Sequence, residues 1–228
     1  MKKNQTTYNM KKVLFLVLSA ICLLTACQSA PKGDITSADD SPLILLNRKV
    51  LERVKHDIAR QAPDLMPAFN ALIKAADEYL QEEPLSVMMK KQTAPSGSKH
   101  DYVSRAPYWW PDASKADGLP YIRKDGERNP ELDDFTDHIY LSKLCNMVSK
   151  LALAYYLTDN EAYAQKAAVM LRTWFLDAET QMNPNLNYAQ QIPGVTDGRG
   201  IGIIETPCIA EMLDYVNTLW EENLPIYC

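Results

Sequence analysis

The sequence predicts an all-α fold of antiparallel helix pairs, with long loops that carry the functional residues. Apolar residues recur every three to four positions over several long segments, as they do on the buried face of an amphipathic helix. No segment shows convincing strand alternation. Proline and glycine are concentrated between the helical segments, so the chain should have two long irregular stretches. Long loops on a rigid scaffold commonly carry binding or catalytic residues.

The first helix pair follows residue 43. An apolar stripe at four-residue spacing predicts its first helix and consists of Leu46, Val50, Val54 and Ile58. Pro63 breaks the chain, and a second stripe runs from Leu65 to Tyr79. Residues 94–130 then contain five prolines and no periodic pattern, which predicts a lid or binding loop.

The second helix pair begins where periodicity returns, at Glu131. Its stripe predicts one long helix as far as Tyr155, a turn at residues 158–160 and a further helix through Trp174. A second irregular stretch, residues 177–204, contains four glycines. Thr206 followed by Pro207 is typical of a helix N-terminus, and a final stripe reaches Trp220.

Composition and charge restrict the function classes. The chain has 228 residues, of which 46% are hydrophobic and 23% charged, as in an ordinary globular protein. Its formal net charge is -5, whereas a general nucleic-acid binder needs a basic excess, so we expect no nucleic-acid partner. Residues 88–111 nevertheless contain four basic residues against Asp101 alone, which indicates a site for an anionic ligand.

The N-terminus has the pattern of a targeting signal. Lys11 and Lys12 precede an apolar run, residues 13–24, that is too short to span a bilayer comfortably. The run ends in Leu-Thr-Ala-Cys, which resembles a bacterial lipobox. We therefore expect residues 1–26 to be a lipoprotein signal peptide, Cys27 to be lipidated and residues 27–42 to be a tether. The alternatives are an ordinary signal peptide or an uncleaved anchor.

The remaining cysteines indicate neither a disulfide framework nor a zinc site. After Cys27 only Cys145, Cys208 and Cys228 follow, an odd number without Cys-x-x-Cys spacing. The cysteine pattern by itself therefore predicts no zinc site.

The densest chemistry lies in residues 98–111. Tyr108, Trp109 and Trp110 are framed by prolines, and flat rings on such a stiffened loop would suit the apolar faces of sugars. Lys99, His100 and Arg105 precede the rings in the sequence and would hold carboxylates. Alternatively, the two tryptophans anchor the loop in the core, and the sequence leaves both interpretations open.

Short motifs continue in order along the chain. They are residues 108–111 (YWWP), 118–121 (GLPY), 123–126 (RKDG), 129–131 (NPE), 182–186 (MNPNL), 188–190 (YAQ), 198–200 (GRG) and 202–206 (GIIET). Together they resemble the alginate lyase domain family of polysaccharide lyases over residues 45–222. Lipoproteins of this kind are familiar from gut Bacteroidetes. We therefore expect lipid anchoring to the cell envelope of a Gram-negative bacterium, either in the periplasm or at the outer-membrane surface.

The resemblance implies an (α/α) toroid or incomplete barrel, in which helix hairpins surround a cleft for an acidic polysaccharide such as alginate or another polyuronate. It also implies cleavage by β-elimination without a metal or another cofactor. Asn, His or Arg neutralises the uronate carboxylate, a Tyr or His removes the C5 proton, and Tyr protonates the departing O4.

The resemblance also implies roles for individual residues. Asn185 lies in the loop that supplies a carboxylate-neutralising Asn, and Asn183 and Asn187 are alternatives for this role. The expected substrate contacts are Lys99, His100, Tyr102, Arg105, Tyr108, Trp109, Trp110, Tyr188, Gln190 and Arg199. For Tyr188, Gln190 and Arg199 a purely structural role stays open.

The family's Asn-Asn-His motif does not occur in the sequence. The resemblance places that motif, and the Arg and Tyr that follow it, beyond residue 228. We therefore expect residues 43–228 to be the N-terminal part of a toroid domain that lacks the catalytic His and Tyr and exposes apolar surface. The competing hypotheses are a non-catalytic, acidic-glycan-binding lipoprotein and a purely structural all-α lipoprotein.

Overall fold

The computed structural model describes residues 43–219, and about half of these residues are helical. The predicted signal peptide, Cys27, the tether, Trp220 and Cys228 lie outside the described residues. The α-helices of the described part are α1 (Arg48–Ala59), α2 (Met66–Leu80), α3 (Asp137–Thr158), α4 (Glu161–Phe175) and α5 (Pro207–Leu219). No helix in this part of the chain has the length and apolar character needed to cross a membrane.

Four short strands correct the prediction that the chain has none. They are β1 (Val103–Arg105), β2 (Trp109–Trp110), β3 (Ile122–Arg123) and β4 (Tyr188–Gln191). β1 pairs with β4 in parallel, and β2 pairs with β3 antiparallel. All four lie in the two stretches predicted to be irregular. Strands of two to four residues are too short to show a detectable alternation of apolar and polar side chains.

The first helix pair lies where the apolar stripes predict it, but Val50 of the α1 stripe is 43% exposed and the buried residue of α1 is Leu51. The side chain of Asn47 accepts a hydrogen bond from the Val50 N–H and caps α1. The predicted break at Pro63 is confirmed, because α1 ends at Ala59 and α2 begins at Met66. Pro67 occupies the first turn of α2, where its missing N–H costs no intrahelical hydrogen bond.

Helix α3 is the centre of the core. It contacts each of the other four helices. Its fully buried residues recur along one side of the helix and include Leu141, Leu144, Met147, Val148, Leu151 and Ala154. Burial of side chains of this size contributes about 1.5–3 kcal/mol each, so this helix supplies much of the apolar stabilisation.

The prediction that α3 begins at Glu131 is wrong. Residues Pro130–Asp134 form a 3-10 turn, whose N-terminus is capped by the Asn129 side chain. Phe135 then has extended backbone dihedrals, and the α-helix begins only at Asp137. Leu132 and Phe135 are both buried apolar residues with the three-residue spacing of a helix, which explains the misplaced start. Phe135 nevertheless packs in a separate cluster.

The turn between α3 and α4 is confirmed at residues 158–160. Asp159 adopts the left-handed conformation at φ 57°, and the Asn160 side chain caps α4 by accepting from Ala162. Trp174, near the end of α4, is completely buried. The Asn cap thus satisfies an N–H at the start of this helix, and the buried Trp anchors its end in the core.

Helix α5 begins at Pro207, as predicted. Its buried Asp214 accepts hydrogen bonds from the backbone N–H groups of Ile44, Leu45 and Leu46 at 2.7, 2.8 and 2.6 Å. These bonds join the segment before α1 to the last described helix. The carboxylate of Asp214 thus has a structural role.

An apolar surface lies at the start of α5. Ile203 and Ile204 in the preceding 3-10 segment (Gly200–Glu205) are 64% and 58% exposed, and Leu213 is 50% exposed. The apolar stripe predicted for this helix is therefore buried only in part, at Met212 and Leu219.

A buried ion pair joins the segment before β1 to the N-terminus of α3. Lys90 Nζ lies 2.9 Å from Asp137 Oδ2, and both side chains are almost fully excluded from solvent. The same carboxylate accepts from the Val103 N–H at 2.9 Å, and Lys90 also donates to the Val87 carbonyl. Burial lowers the pKa of Lys90 and raises that of Asp137, and each partner's charge opposes the shift.

Candidate functional site

Parallel pairing of β1 with β4 brings the two predicted loops together. The register places Val103 beside Tyr188, so the segment before β1 runs beside the segment before β4. The Asn183 N–H donates to the His100 carbonyl at 2.9 Å, which extends the contact beyond the strands. Two stretches about 80 residues apart in the sequence therefore form one surface.

Asp101 is the centre of this surface. The residue is 5% exposed, and its carboxylate accepts three side-chain hydrogen bonds. Oδ1 accepts from the side-chain nitrogens of Asn183 at 2.8 Å and Asn185 at 3.2 Å, and Oδ2 accepts from the Ser96 hydroxyl at 2.6 Å. We call Asp101, Asn183 and Asn185 the Asp–Asn cluster.

Hydrogen bonding keeps Asp101 ionised. Burial raises the pKa of this carboxyl, but the hydrogen bonds from Ser96, Asn183 and Asn185 outweigh it and lower the pKa below the ordinary value. Because the pKa is lower in the folded than in the unfolded chain, ionised Asp101 stabilises the fold above its unfolded pKa. That stabilisation is lost as the pH falls through the folded pKa.

Asn185 has one amide orientation in this environment. Its Nδ2 donates to Asp101, and its Oδ1 accepts from the Asn187 N–H at 3.1 Å. An amide nitrogen carries two hydrogens, so one N–H of Asn185 is left for a ligand. Of the two alternatives, Asn183 shares the Asp–Asn cluster, whereas Asn187 takes part through its backbone N–H.

His100 lies beside the cluster, and its hydrogen-bond partner indicates its tautomer. Nδ1 lies 2.6 Å from the Gln181 carbonyl oxygen, which can only accept a hydrogen bond. The hydrogen is therefore assigned to Nδ1, and in the neutral ring Nε2 has the free lone pair. Lys99, the preceding residue, is half-buried. Both predicted contacts thus adjoin Asn185's loop.

Three other predicted residues belong to a network around Glu205, which the sequence reasoning did not select. Glu205 accepts from the Tyr102 hydroxyl at 2.7 Å and from the Gln190 side-chain nitrogen. Arg199 completes the network by donating to the side-chain oxygen of Gln190 at 2.7 Å and to its backbone carbonyl at 3.1 Å. Burial lowers the pKa of Arg199. The residues form a link between the two loops.

The prediction that Tyr102 contacts substrate does not agree with this geometry. Tyr102 is completely buried, and burial together with the negative charge of Glu205 raises its pKa well above the usual range. Gln190 is also buried, at 5% exposure. We therefore assign both residues to the support of the loops, the structural role that stayed open for Gln190. Tyr188, which opens β4, is half-buried and packs against Val103 and its neighbours.

The aromatic motif forms a small hairpin of β2 and β3. Trp110 donates from Nε1 to the Glu127 carbonyl at 2.9 Å, and Lys124 Nζ lies 5.1 Å from a Trp110 ring centroid. Trp109 and Trp110 are both half-buried, whereas Tyr108 is 42% exposed. The tryptophans therefore contribute both to loop packing and to its surface, and Tyr108 is the most accessible ring.

The Arg105 guanidinium packs against two aromatic rings. Its guanidinium lies over the rings of Phe135 at 4.7 Å and Tyr121 at 5.8 Å. Nε and Nη1 are buried and have no hydrogen-bond partner among the described residues. Arg105 is half-buried, and its contact with a substrate carboxylate stays a prediction.

The depressions described on the surface are lined by α2, by α3 with α5, and by the loop around Arg105, and none of them includes the Asp–Asn cluster. A surface depression of about 660 Å³ lies along α2 between Phe69 and Gln81, away from the Asp–Asn cluster. That depression is an open surface groove, whereas the polar side chains converge at the Asp–Asn cluster. Among residues 43–219, no group of three or more His, Cys, Asp or Glu side chains is arranged to hold a metal ion.

Gly198 allows the chain to pass close to the Asn185 loop. A Cβ at this position would lie 1.9 Å from the Asn187 carbonyl oxygen, a contact that requires backbone movement. We expect Gly198→Ala to lower the free energy of unfolding by about 1–3 kcal/mol, as overpacking does elsewhere. Urea denaturation measures this change. Gly200→Ala is the matched control, because its Cβ meets no atom within 4 Å, and equal losses in both variants would contradict the explanation.

Comparisons with known proteins agree with the motifs. The sequence model of the family described as alginate lyase matches residues 86–225. A solved structure of an alginate lyase from Bacteroides ovatus is 48% identical, with a TM-score of 0.71, and the match covers 77% of this chain and 46% of that one. The chain thus spans less than half of that protein's length. No curated protein sequence matches it. Because the family match covers more than half of its residues, the chain belongs to the alginate lyase family.

Proposed function

We propose that the protein is a polysaccharide lyase that cleaves alginate or a related polyuronate by β-elimination, and that its helix pairs are part of an (α/α) toroid. The observation that carries this proposal is the fixed amide of Asn185 in a chain of the alginate lyase family. One N–H of that amide remains for a substrate carboxylate. The half-buried Lys99 on the adjacent loop supplies a further donor for an anionic sugar, and neutral His100 offers Nε2 as an acceptor for a sugar hydroxyl.

The chemistry explains why such an amide is useful. The C5 hydrogen next to a uronate carboxylate is weakly acidic, and its removal places additional negative charge on that carboxylate. A preorganised N–H donor stabilises the charge as it develops, which lowers the barrier. The C5–H electrons then form the C4–C5 double bond while the C4–O4 bond breaks and O4 takes a proton. The base at C5 and the acid at O4 are roles that the family resemblance gives to His and Tyr.

Ultraviolet absorbance of the unsaturated uronate product tests the proposal. Alginate, glucuronan and an amino-sugar-containing glycosaminoglycan would be offered to the 228-residue chain and to any longer product of the same gene, because the family resemblance places the catalytic His and Tyr beyond residue 228. We expect absorbance to rise with at least one polyuronate and not with carboxyl-reduced alginate, which has no carboxylate to neutralise. Lack of product from every polymer would contradict lyase activity. Retardation of the chain in an alginate-containing native gel without product would support glycan binding alone.

We also propose that Cys27 carries a lipid anchor and holds the protein at the cell envelope of a Gram-negative bacterium. The support is the sequence pattern of basic residues, a short apolar run and Cys27 at the end of the lipobox-like segment. Metabolic labelling with a fatty-acid analogue tests this proposal. Cys27→Ser should abolish the label and Cys208→Ser should retain it, whereas label on the Cys27→Ser variant would contradict lipidation at this residue.

A further inference from the structure

We propose that Asp101 is a positioning residue, which fixes the side-chain amides of Asn183 and Asn185 so that Asn185 presents an N–H to the substrate carboxylate. This inference rests on the proposed function and adds to it, because it explains what holds the neutralising amide in its orientation. Asp101 itself does not contact substrate in this scheme. It acts through the two asparagines.

The Asp101 carboxylate can hold both asparagine amides in one orientation. An ionised carboxylate has acceptors on both oxygens and no donor. Oδ1 of Asp101 faces Nδ2 of Asn183 and of Asn185, at 2.8 and 3.2 Å. A flip of either amide would place its carbonyl oxygen against this negative oxygen. The flipped state would lose a charge-assisted hydrogen bond and gain a repulsive contact.

The oxygen of the Asn185 amide is also held in place. Its Oδ1 accepts a hydrogen bond from the Asn187 N–H at 3.1 Å. In a flipped amide, the NH2 group of Asn185 would face this N–H, and two donors would meet without an acceptor. Asp101 and the Asn187 backbone therefore favour the same orientation. Without Asp101, a rotated amide could turn its oxygen towards the ligand, and an oxygen repels a carboxylate.

Lys90 offsets part of the negative charge of Asp101. A buried anion close to a carboxylate-binding surface requires a compensating cation, because the substrate is also negative. Lys90 is 2% exposed and attracts Asp101 electrostatically while it pairs with Asp137. Asp101 therefore orients the amides while the buried lysine offsets part of its charge.

A comparison of two buried aspartates tests the role. Asp101→Ala should lower kcat on the polyuronate by up to about 100-fold, the effect of a small misplacement of a catalytic group. Asp101→Asn, which retains one carbonyl oxygen, should recover part of this loss. Asp214→Ala is the control, because Asp214 is 3% exposed and also accepts three hydrogen bonds, but only from the backbone before α1. It should lower thermal stability and leave kcat unchanged.

The same substitutions in an Asn185→Ala background separate positioning from general damage. If Asp101 acts through Asn185, Asp101→Ala should have little further effect on kcat in that background. Equal fold-losses in both backgrounds, or the same kcat loss in Asp214→Ala, would overturn the proposal.

A spectroscopic readout keeps the test independent of lyase activity. In NMR spectra of the full chain, the two Nδ2 hydrogens of Asn185 should give separate, shifted signals in the wild type and in Asp214→Ala. In Asp101→Ala they should move to the positions of a free asparagine amide. Unchanged Asn185 signals would overturn the role of Asp101, whereas shifted signals in a chain that forms no product would refute only the proposed function.

Discussion

Asn185→Ala should reduce kcat on the cleaved polyuronate by about 10²- to 10³-fold, the usual loss when one preorganised donor to a developing anion is removed. The N–H of Asn185 interacts most strongly when charge accumulates on the substrate carboxylate, so KM should change less than kcat. Initial rates of ultraviolet absorbance over a range of substrate concentrations measure both parameters.

Asn187→Ala is the control on the same loop. The side chain of Asn187 is exposed, and the substitution retains the backbone N–H that orients Asn185. Its kcat should therefore stay close to the wild-type value. Similar losses in the two variants, or an Asn185→Ala effect confined to KM, would show that Asn185 is not the group that neutralises the carboxylate.

The helices could be predicted because their information is local. Four-residue spacing and Pro63 were enough to place α1 and α2, and Pro207 marked the first residue of α5. The start of α3 was misplaced for a local reason as well. Leu132 and Phe135 have helical spacing, but Asn129 and Pro130 favour a short 3-10 turn before the helix.

The site could be predicted only in part because its contacts are not local. The family motifs indicated Asn185, and Asp101 appeared in the sequence only as one acid among basic residues. The hydrogen bond between these residues spans 84 positions and depends on the pairing of β1 with β4. Tyr102 and Glu205 also form a hydrogen bond, across 103 positions. A motif shows that such residues belong to the family but not which of them are buried.

The buried ion pair beneath β1 should have the largest effect on stability. Asp137→Ala leaves the Lys90 ammonium without its counter-ion in a solvent-excluded position and removes the acceptor of the Val103 N–H. Breaking a buried pair in this way typically costs about 3–5 kcal/mol, since the remaining charge is uncompensated. We therefore expect Asp137→Ala to lower the free energy of unfolding by about this amount, as measured by urea denaturation.

Two further variants decide whether the charge is the cause. Asp125→Ala removes one partner of the exposed ion pair between Arg123 and Asp125, whose side chains are 63% and 68% accessible, respectively. This substitution should change the free energy of unfolding far less. Replacement of both buried partners, in Lys90→Met with Asp137→Leu, removes the uncompensated charge and should recover much of the lost stability. If the double variant is no more stable than Asp137→Ala, the loss comes from the Val103 hydrogen bond and packing at the start of α3. An Asp137→Ala protein as stable as Asp125→Ala would mean that Lys90 reaches solvent or another acceptor once its partner is removed.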